Sequence, residues 1–404
     1  MPRFEPFAGV RYDLDRVELD DVVAPPYDVI GAEEQKNLEA RSPYNVVHVD
    51  LPRDEEGRDR YTAAGHRFDE WLAAGVLRVD PEPGFYAYRM GYHDVDGNSR
   101  QIVGVLGALE LVAPGEGDVL PHEETQHKVR DDRLRLLRAC RADLSPVWGL
   151  SLAEGLTELC SASAGAPVAR CTDEEGVHHR LWRISQPGLV EAVSSTVGSA
   201  PVVIADGHHR YAVALAHRDE RRAARGGDAA DAGDAELMMA LVCELADGQA
   251  GVRPIHRVIS GLPEDFDLVA ALEPFFEPVA ADPPASTLPE RMAEAGGLAL
   301  ILGPERLWLL LPRDPVEDDD VPPDAALLDR ALAGLPSHTL AFNHSPESVA
   351  GQVASGQASA AVLLRPVDVR QIARTALAGR RMPTKTTFFH PKPRTGMVFR
   401  RLAD

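Results

Sequence analysis

Five consecutive residues, Asp206, Gly207, His208, His209 and Arg210, follow the apolar run Val202 to Ala205 and open a helical pattern through Tyr211 and Leu215. One turn thus carries a carboxylate, two imidazoles and a guanidinium. The spacing predicts a buried strand, a tight turn and a helix N-terminus. Gly207 lets the chain turn without a Cβ clash and lets a ligand approach the backbone. A helix N-terminus has unpaired N–H groups and about half a positive charge, so it attracts anions. Arg210, His208 and His209 add donors at the same place. The predicted chemistry is oxyanion binding, most simply of a phosphate group. Asp206 would repel a bare phosphate. Its expected roles are helix cap, magnesium ligand or general base for a hydroxyl, with His208 as a second candidate catalytic group. A plain cap beside surface histidines is the alternative, and zinc would need a third ligand.

Four more polar blocks carry candidate chemistry. "LPHEETQHK" puts His122 and Glu123 in a polar loop and Lys128 at its end, all candidates for phosphate or substrate binding. Its histidines are one residue too far apart for the H-E-x-x-H zinc pair. "RACRADLSP" places Arg141 at a helix end, where it complements the dipole or reaches an anion. "APPYDVI" mounts Tyr27 and Asp28 on the rigid pair Pro25 and Pro26 in an extended turn, and Asp28 is a candidate catalytic carboxylate. "MPTKTTFFHPK" offers Lys385 beside Thr386, a point charge next to hydroxyl donors that suits phosphate. It lacks the glycines of a P-loop. Lysine is rare, with Lys36, Lys128, Lys385 and Lys392 alone. Lys392 is assigned to the surface and His256 to a structural role.

The elements that must hold these groups alternate between strand and helix. "NVVHVDLP" reads as a strand, and "RYTAAGHRFDEWLAAGV" as a helix ending at Gly75. A helix is expected over roughly 131–141. "GFYAYRMGYHDVDGNSRQIVGVLGALEL" and "GLALILGPERLWLLLP" read as hairpins. Asp219 to Glu236 reads as a loop, and "DPVEDDDVPPD" as a solvated linker. The mixture predicts an α+β fold with mixed sheets. Length suggests more than one domain, with divisions at 1–150, 151–285 and 286–404.

The 404 residues carry a formal charge of −21, which argues against a nucleic-acid coat or an anionic membrane surface. No run approaches the roughly 20 apolar residues of a membrane span, and the first residues lack a secretion signal's apolar core. A cytoplasmic protein is expected. Its four cysteines form no C-x-x-C pair, so neither structural zinc nor a disulfide framework is expected. No organic cofactor is evident. The expected partner is a phosphorylated small molecule or a nucleotide, with no nucleic acid and no membrane. Self-association into a homo-oligomer is left open.

The "DGHHR" turn resembles the phosphate-binding turn of the ParB/sulfiredoxin superfamily, which includes CTP-hydrolysing partition proteins, sulfinic acid reductases and kinases of free serine. His208 stands where the reductases carry their cysteine, which argues against sulfinic acid chemistry. More widely, "APPYDVI", "VLPHEET", "DDRLRLLRACRADLSP", "ADGHHRY", "PIHRVI" and "MPTKTTFFHPKPRTG" resemble, in order and spacing, the blocks of the bacterial and archaeal domain-of-unknown-function family numbered 1015. Together the resemblances imply a ParB/sulfiredoxin-like core and phosphoryl transfer to serine or a similar hydroxy acid. ATP, ADP or pyrophosphate would be the donor, magnesium would accompany a nucleotide, and a related phosphatase is the neighbouring possibility. The serine kinases use an acidic residue early in the chain as base, and Asp28 is a candidate for that role by its position alone. The alternative the resemblances leave is a nucleotide-binding regulatory module without small-molecule turnover.

Overall fold

The computed structural model describes residues 1–403 apart from 55–56, 95–96, 122–126, 163–164, 227–232, 247, 250 and 314–323, and apart from the side chains of 127–130. The candidates His122 and Glu123 lie outside the described residues, and Lys128 is described by its backbone alone. The fold is α+β. It divides into two compact units: Met1–Gly251 with Ala376–Gly379 and Pro391–Asp404, and Val252–Thr375 with Arg380–His390. The expected division near residue 150 does not hold, because that residue lies inside a strand of the first unit's main sheet.

That sheet uses strands β1 (Phe85–His93), β2 (Ser99–Glu110), β3 (Val119–Pro121), β4 (Val147–Ser151), β5 (Val202–Asp206) and β6 (Leu237–Glu244). Their order is β3-β5-β4-β6-β2-β1, continued by His178–Ile184 and Ala169–Thr172. The pairings β3 with β5 and β4 with β6 are parallel; β5 with β4 and β6 with β2 are antiparallel. The sheet is therefore mixed. β4 is buried throughout, and β6 from Met238 to Cys243, as strands covered on both faces must be.

Two helices on this sheet matter for the site: α1 (His127–Cys140) and α2 (His208–Ala224). α2 buries His208, Tyr211, Ala214 and Arg218, a spacing that keeps one face inward. The Tyr211 hydroxyl donates to the Val112 carbonyl and accepts from the Val112 amide. Leu134 of α1 packs with Val213 and Ala216 of α2, with Leu137 against them. The loop expected from Asp219 begins later, because α2 continues to Ala224.

A second small sheet in this unit pairs Gly9–Tyr12 with Leu77–Val79 and with Phe399–Arg401, which in turn pairs Ala142–Asp143. The C-terminal strand is anchored twice. Phe399 packs on Tyr12 and Phe68, and the buried Arg400 guanidinium donates to the Asp143 carboxylate at 3.1 Å. Lys392 lies seven residues before this strand.

"NVVHVDLP" is not a strand. Val47–Asp50 is a helical turn. The Asn45 side chain accepts from the Val47 amide and donates to the Asp21 and Val23 carbonyls. A side-chain-capped turn thus overrides the β preference of three valines.

The second unit has a six-stranded antiparallel sheet in the order Phe276–Ala281, Arg306–Pro312, Leu298–Gly303, Ala360–Leu363, His256–Ser260, Thr339–Asn343. Alternation splits its apolar residues between two cores. Leu298, Leu300 and Val362 face Leu268–Leu272 and Asp324–Leu332, while Ala299, Ile301 and Leu363 face Leu288–Ala295 and Pro346–Ala354. Among the described residues, no helix is long and apolar enough to cross a membrane.

Candidate functional site

The turn after β5 has the predicted geometry. β5 ends at Asp206, Gly207 takes φ +88°, and α2 starts at His208. Gly207 is needed for a second reason. The Arg210 guanidinium folds back over it, so that an added Cβ would lie 3.0 Å from Nε and Nη2. Gly207→Ala is expected to cost about 1–2 kcal/mol in left-handed strain and to displace the guanidinium. A lowered melting temperature together with weaker phosphate binding would be the signature.

Arg210 is held from three sides. It donates to the Ser145 hydroxyl at 3.2 Å, to the Pro146 carbonyl, and to Asp206 Oδ2 at 3.1 Å. The other oxygen of Asp206 is taken by Lys392 Nζ at 2.6 Å. Asp206 and Lys392 are 186 residues apart in sequence, and both side chains are largely buried. Burial by itself would push the Asp206 carboxyl up, but the charges of Lys392 and Arg210 hold it well below the usual carboxylate range. The cluster of Asp206, Arg210 and Lys392 carries one net positive charge, at the end of a 17-residue helix. The repulsion expected from Asp206 toward a phosphate is therefore cancelled within the cluster. Its fit to magnesium is poor, since both its oxygens are already committed to cations. Among the described residues, no group of three or more His, Cys, Asp or Glu is placed to hold a metal ion.

Arg210 also lines a cavity of about 60 Å³ with Tyr27, Asp50, Arg133, Ser145 and several leucines. Tyr27 belongs to a 3-10 turn, Tyr27–Val29, rather than the expected extended turn, and its ring lies under the Arg133 guanidinium at 4.3 Å. Burial pushes the Tyr27 hydroxyl up to about 12, against the charges of Arg210 and Arg133. Asp28, one residue on, is exposed. It acts electrostatically on both Tyr27 and Asp50. The "APPYDVI" and "DGHHR" blocks therefore meet at one cavity.

The other candidates are placed differently. His208 is buried at the start of α2, where its charge acts on Asp206, and His209 is half-buried beside it. β3 runs parallel to β5, with Pro121 opposite Ile204. Arg141 is exposed, in the left-handed region at φ +47°, and its carbonyl accepts from the Leu402 amide. It anchors the C-terminal strand and does not line the cavity. Lys385 and Thr386 belong to the second unit. The Lys385 carbonyl accepts from Arg257 at 2.9 Å, and the Thr386 hydroxyl donates to the Pro383 carbonyl at 2.6 Å, which makes a closed turn. The Nδ1 of His256 accepts from the Leu364 amide, its Nε2 is buried without a hydrogen-bond partner, and burial lowers its pKa to about 4.

Sequence reasoning missed Lys392, assigned above to the surface. A signal was present, since one of only four lysines sits between Pro391 and Pro393, a stiff mount. Asp50 and Arg133 were missed as well. The first was hidden by the mistaken strand assignment, and the second by its place within a helix full of charges.

Comparison with known proteins gives a family and a set of distant structures. The family described as "Protein of unknown function (DUF1015)" matches residues 4–331. None of the curated proteins matches the chain. Among solved structures, the chain is similar to a conserved hypothetical protein from Pyrococcus furiosus, at 13% identity and TM-score 0.35, with 67% of this chain and 87% of that one covered. A free serine kinase in complex with AMP is similar at 13% identity and TM-score 0.36, covering 67% and 83%. SbnI with a C-terminal truncation, from Staphylococcus aureus, is similar at 11% identity and TM-score 0.38, covering 72% and 86%.

Proposed function

The chain belongs to the DUF1015 family, and from that premise we propose that it is a phosphotransferase acting on a small hydroxy amino acid, serine first among them. The observation that carries the proposal is the pairing of Asp206 with both Arg210 and Lys392 at the start of α2. Two fixed cations around one carboxylate, beside a helix N-terminus, form a preorganised seat for a phosphoryl group. Lys392 and Arg210 neutralise charge on its oxygens, with the amides of Gly207 and His209 as further donors. In the transfer, the acceptor hydroxyl oxygen forms a bond to phosphorus while the bond from phosphorus to the donor's leaving oxygen breaks.

The hydroxyl proton goes to a carboxylate. A carboxylate held far below its ordinary proton affinity is a poor base, so Asp206 organises the two cations and Asp28 takes the proton. His208 supports Asp206 electrostatically. A magnesium ion would enter with a nucleotide, as part of the substrate. The cytoplasm, where ATP, ADP and serine occur together, is the proposed compartment.

The test is product analysis with ATP, ADP or pyrophosphate, each with and without L-serine. Phosphoserine formed only when serine and one donor are both present supports the proposal. Tight nucleotide binding with no turnover of any hydroxy acid overturns it in favour of a nucleotide-binding regulatory module.

A further inference from the structure

The cavity behind Arg210 is lined by a carboxyl group, Asp50, one oxygen of which neither the fold nor the phosphoryl seat uses. Asp50 ends the turn Val47–Asp50 and is 4% exposed. Its backbone carbonyl and its Oδ1 both accept from Arg133 Nη1, at 2.7 and 3.2 Å. Its Oδ2 is fully buried and has no hydrogen-bond partner. Burying a carboxylate oxygen without a donor is costly, and native structures rarely leave one so unless a ligand or water completes it. Asp50 lines the same cavity as Arg210, Tyr27 and Ser145. A volume of about 60 Å³ exceeds what one water needs. Arg210 is shared by the cavity and the Asp206 turn, so a small molecule seated here is next to the proposed phosphoryl seat.

We infer that this cavity seats the ammonium group of the acceptor, with Asp50 Oδ2 as its hydrogen-bonding counter-ion. This deepens the reading proposed above and rests on it for the identity of the acceptor. It names the group by which the site would tell an amino acid from a plain hydroxy acid. The cavity is small; besides the polar groups named above it is lined by Asp143, whose carboxylate is engaged by Arg400 and the Met239 amide, and by apolar side chains such as Leu136, Leu144 and Val213, so it has no room for a long side chain.

The test compares L-serine with 3-hydroxypropionate, which is serine without its amino group, on the full-length wild-type chain by calorimetric titration. Serine is expected to bind about tenfold more tightly or better. Asp50→Asn keeps the shape and removes the charge, and the preference should fall to near one. Equal affinity for the two acids in the wild type overturns the inference, as does a preference that survives in the folded Asp50→Asn protein. If that variant does not fold, a wild-type structure with L-serine decides. An ammonium nitrogen about 3 Å from Asp50 Oδ2 supports the inference, and one elsewhere, with water in the cavity, overturns it. The two readings fail separately. Phosphoryl transfer that uses both acids equally leaves the phosphotransferase standing and removes the ammonium seat. Serine binding that depends on Asp50, without turnover, does the reverse.

Discussion

Arg210→Met is expected to lower phosphoryl transfer by about 10²–10³-fold, the loss typical when one preorganised charge donor is removed from a transition state. The reason is geometric. Its guanidinium is fixed by Ser145, Pro146 and Asp206 together, so it meets a phosphoryl group without first having to be ordered. Asp206 keeps Lys392 as a counter-ion in the variant, so the fold should survive and the loss should lie mainly in kcat. Arg210→Lys should recover only part of it, because one ammonium cannot reproduce the planar fork that reaches three acceptors. Unchanged kcat/KM in a folded Arg210→Met protein would remove Arg210 from the site.

Lys392→Met is expected to act on stability and on binding together. It leaves Asp206 Oδ1 without its donor, a loss of about 1.5–3 kcal/mol for a hydrogen bond between charged groups. The pH dependence has a definite sign. Asp206 has its proton affinity depressed in the folded state. Its contribution is therefore complete above the unfolded carboxylate value of about 3.9 and is lost as pH falls below that toward the folded value. The difference in unfolding free energy between wild type and Lys392→Met should be largest near neutral pH and should shrink below about pH 4. A difference that grows on acidification would mean that the pair does not stabilise the fold through the ionised Asp206.

Much of this was written in local sequence. The strand, glycine and helix of 202–215 follow from a β-branched apolar run, a residue free to take positive φ, and an inward face repeating every three to four residues. Both hairpins were readable for the same kind of reason. Local pattern could not reveal that Phe399–Arg401 returns to pair with Gly9–Tyr12, and so it could not place Lys392 on Asp206. It also misread Val46, Val47 and Val49, because the hydrogen bonds of Asn45 reach back to residues 21 and 23. The division at residue 150 failed for a related cause. β4 lies between β5 and β6, which come more than fifty residues later in the chain, so a boundary drawn along the sequence cuts one sheet in two.

The binding expected is that of an oxyanion where Arg210 and Lys392 converge at the start of α2. Its most direct test is calorimetric titration of inorganic phosphate and pyrophosphate into the wild type, Arg210→Met and Lys392→Met at constant ionic strength. Saturable binding by the wild type, weakened about tenfold or more in each variant, is the predicted result. Equal affinity in all three folded proteins, or no binding by the wild type, would contradict it.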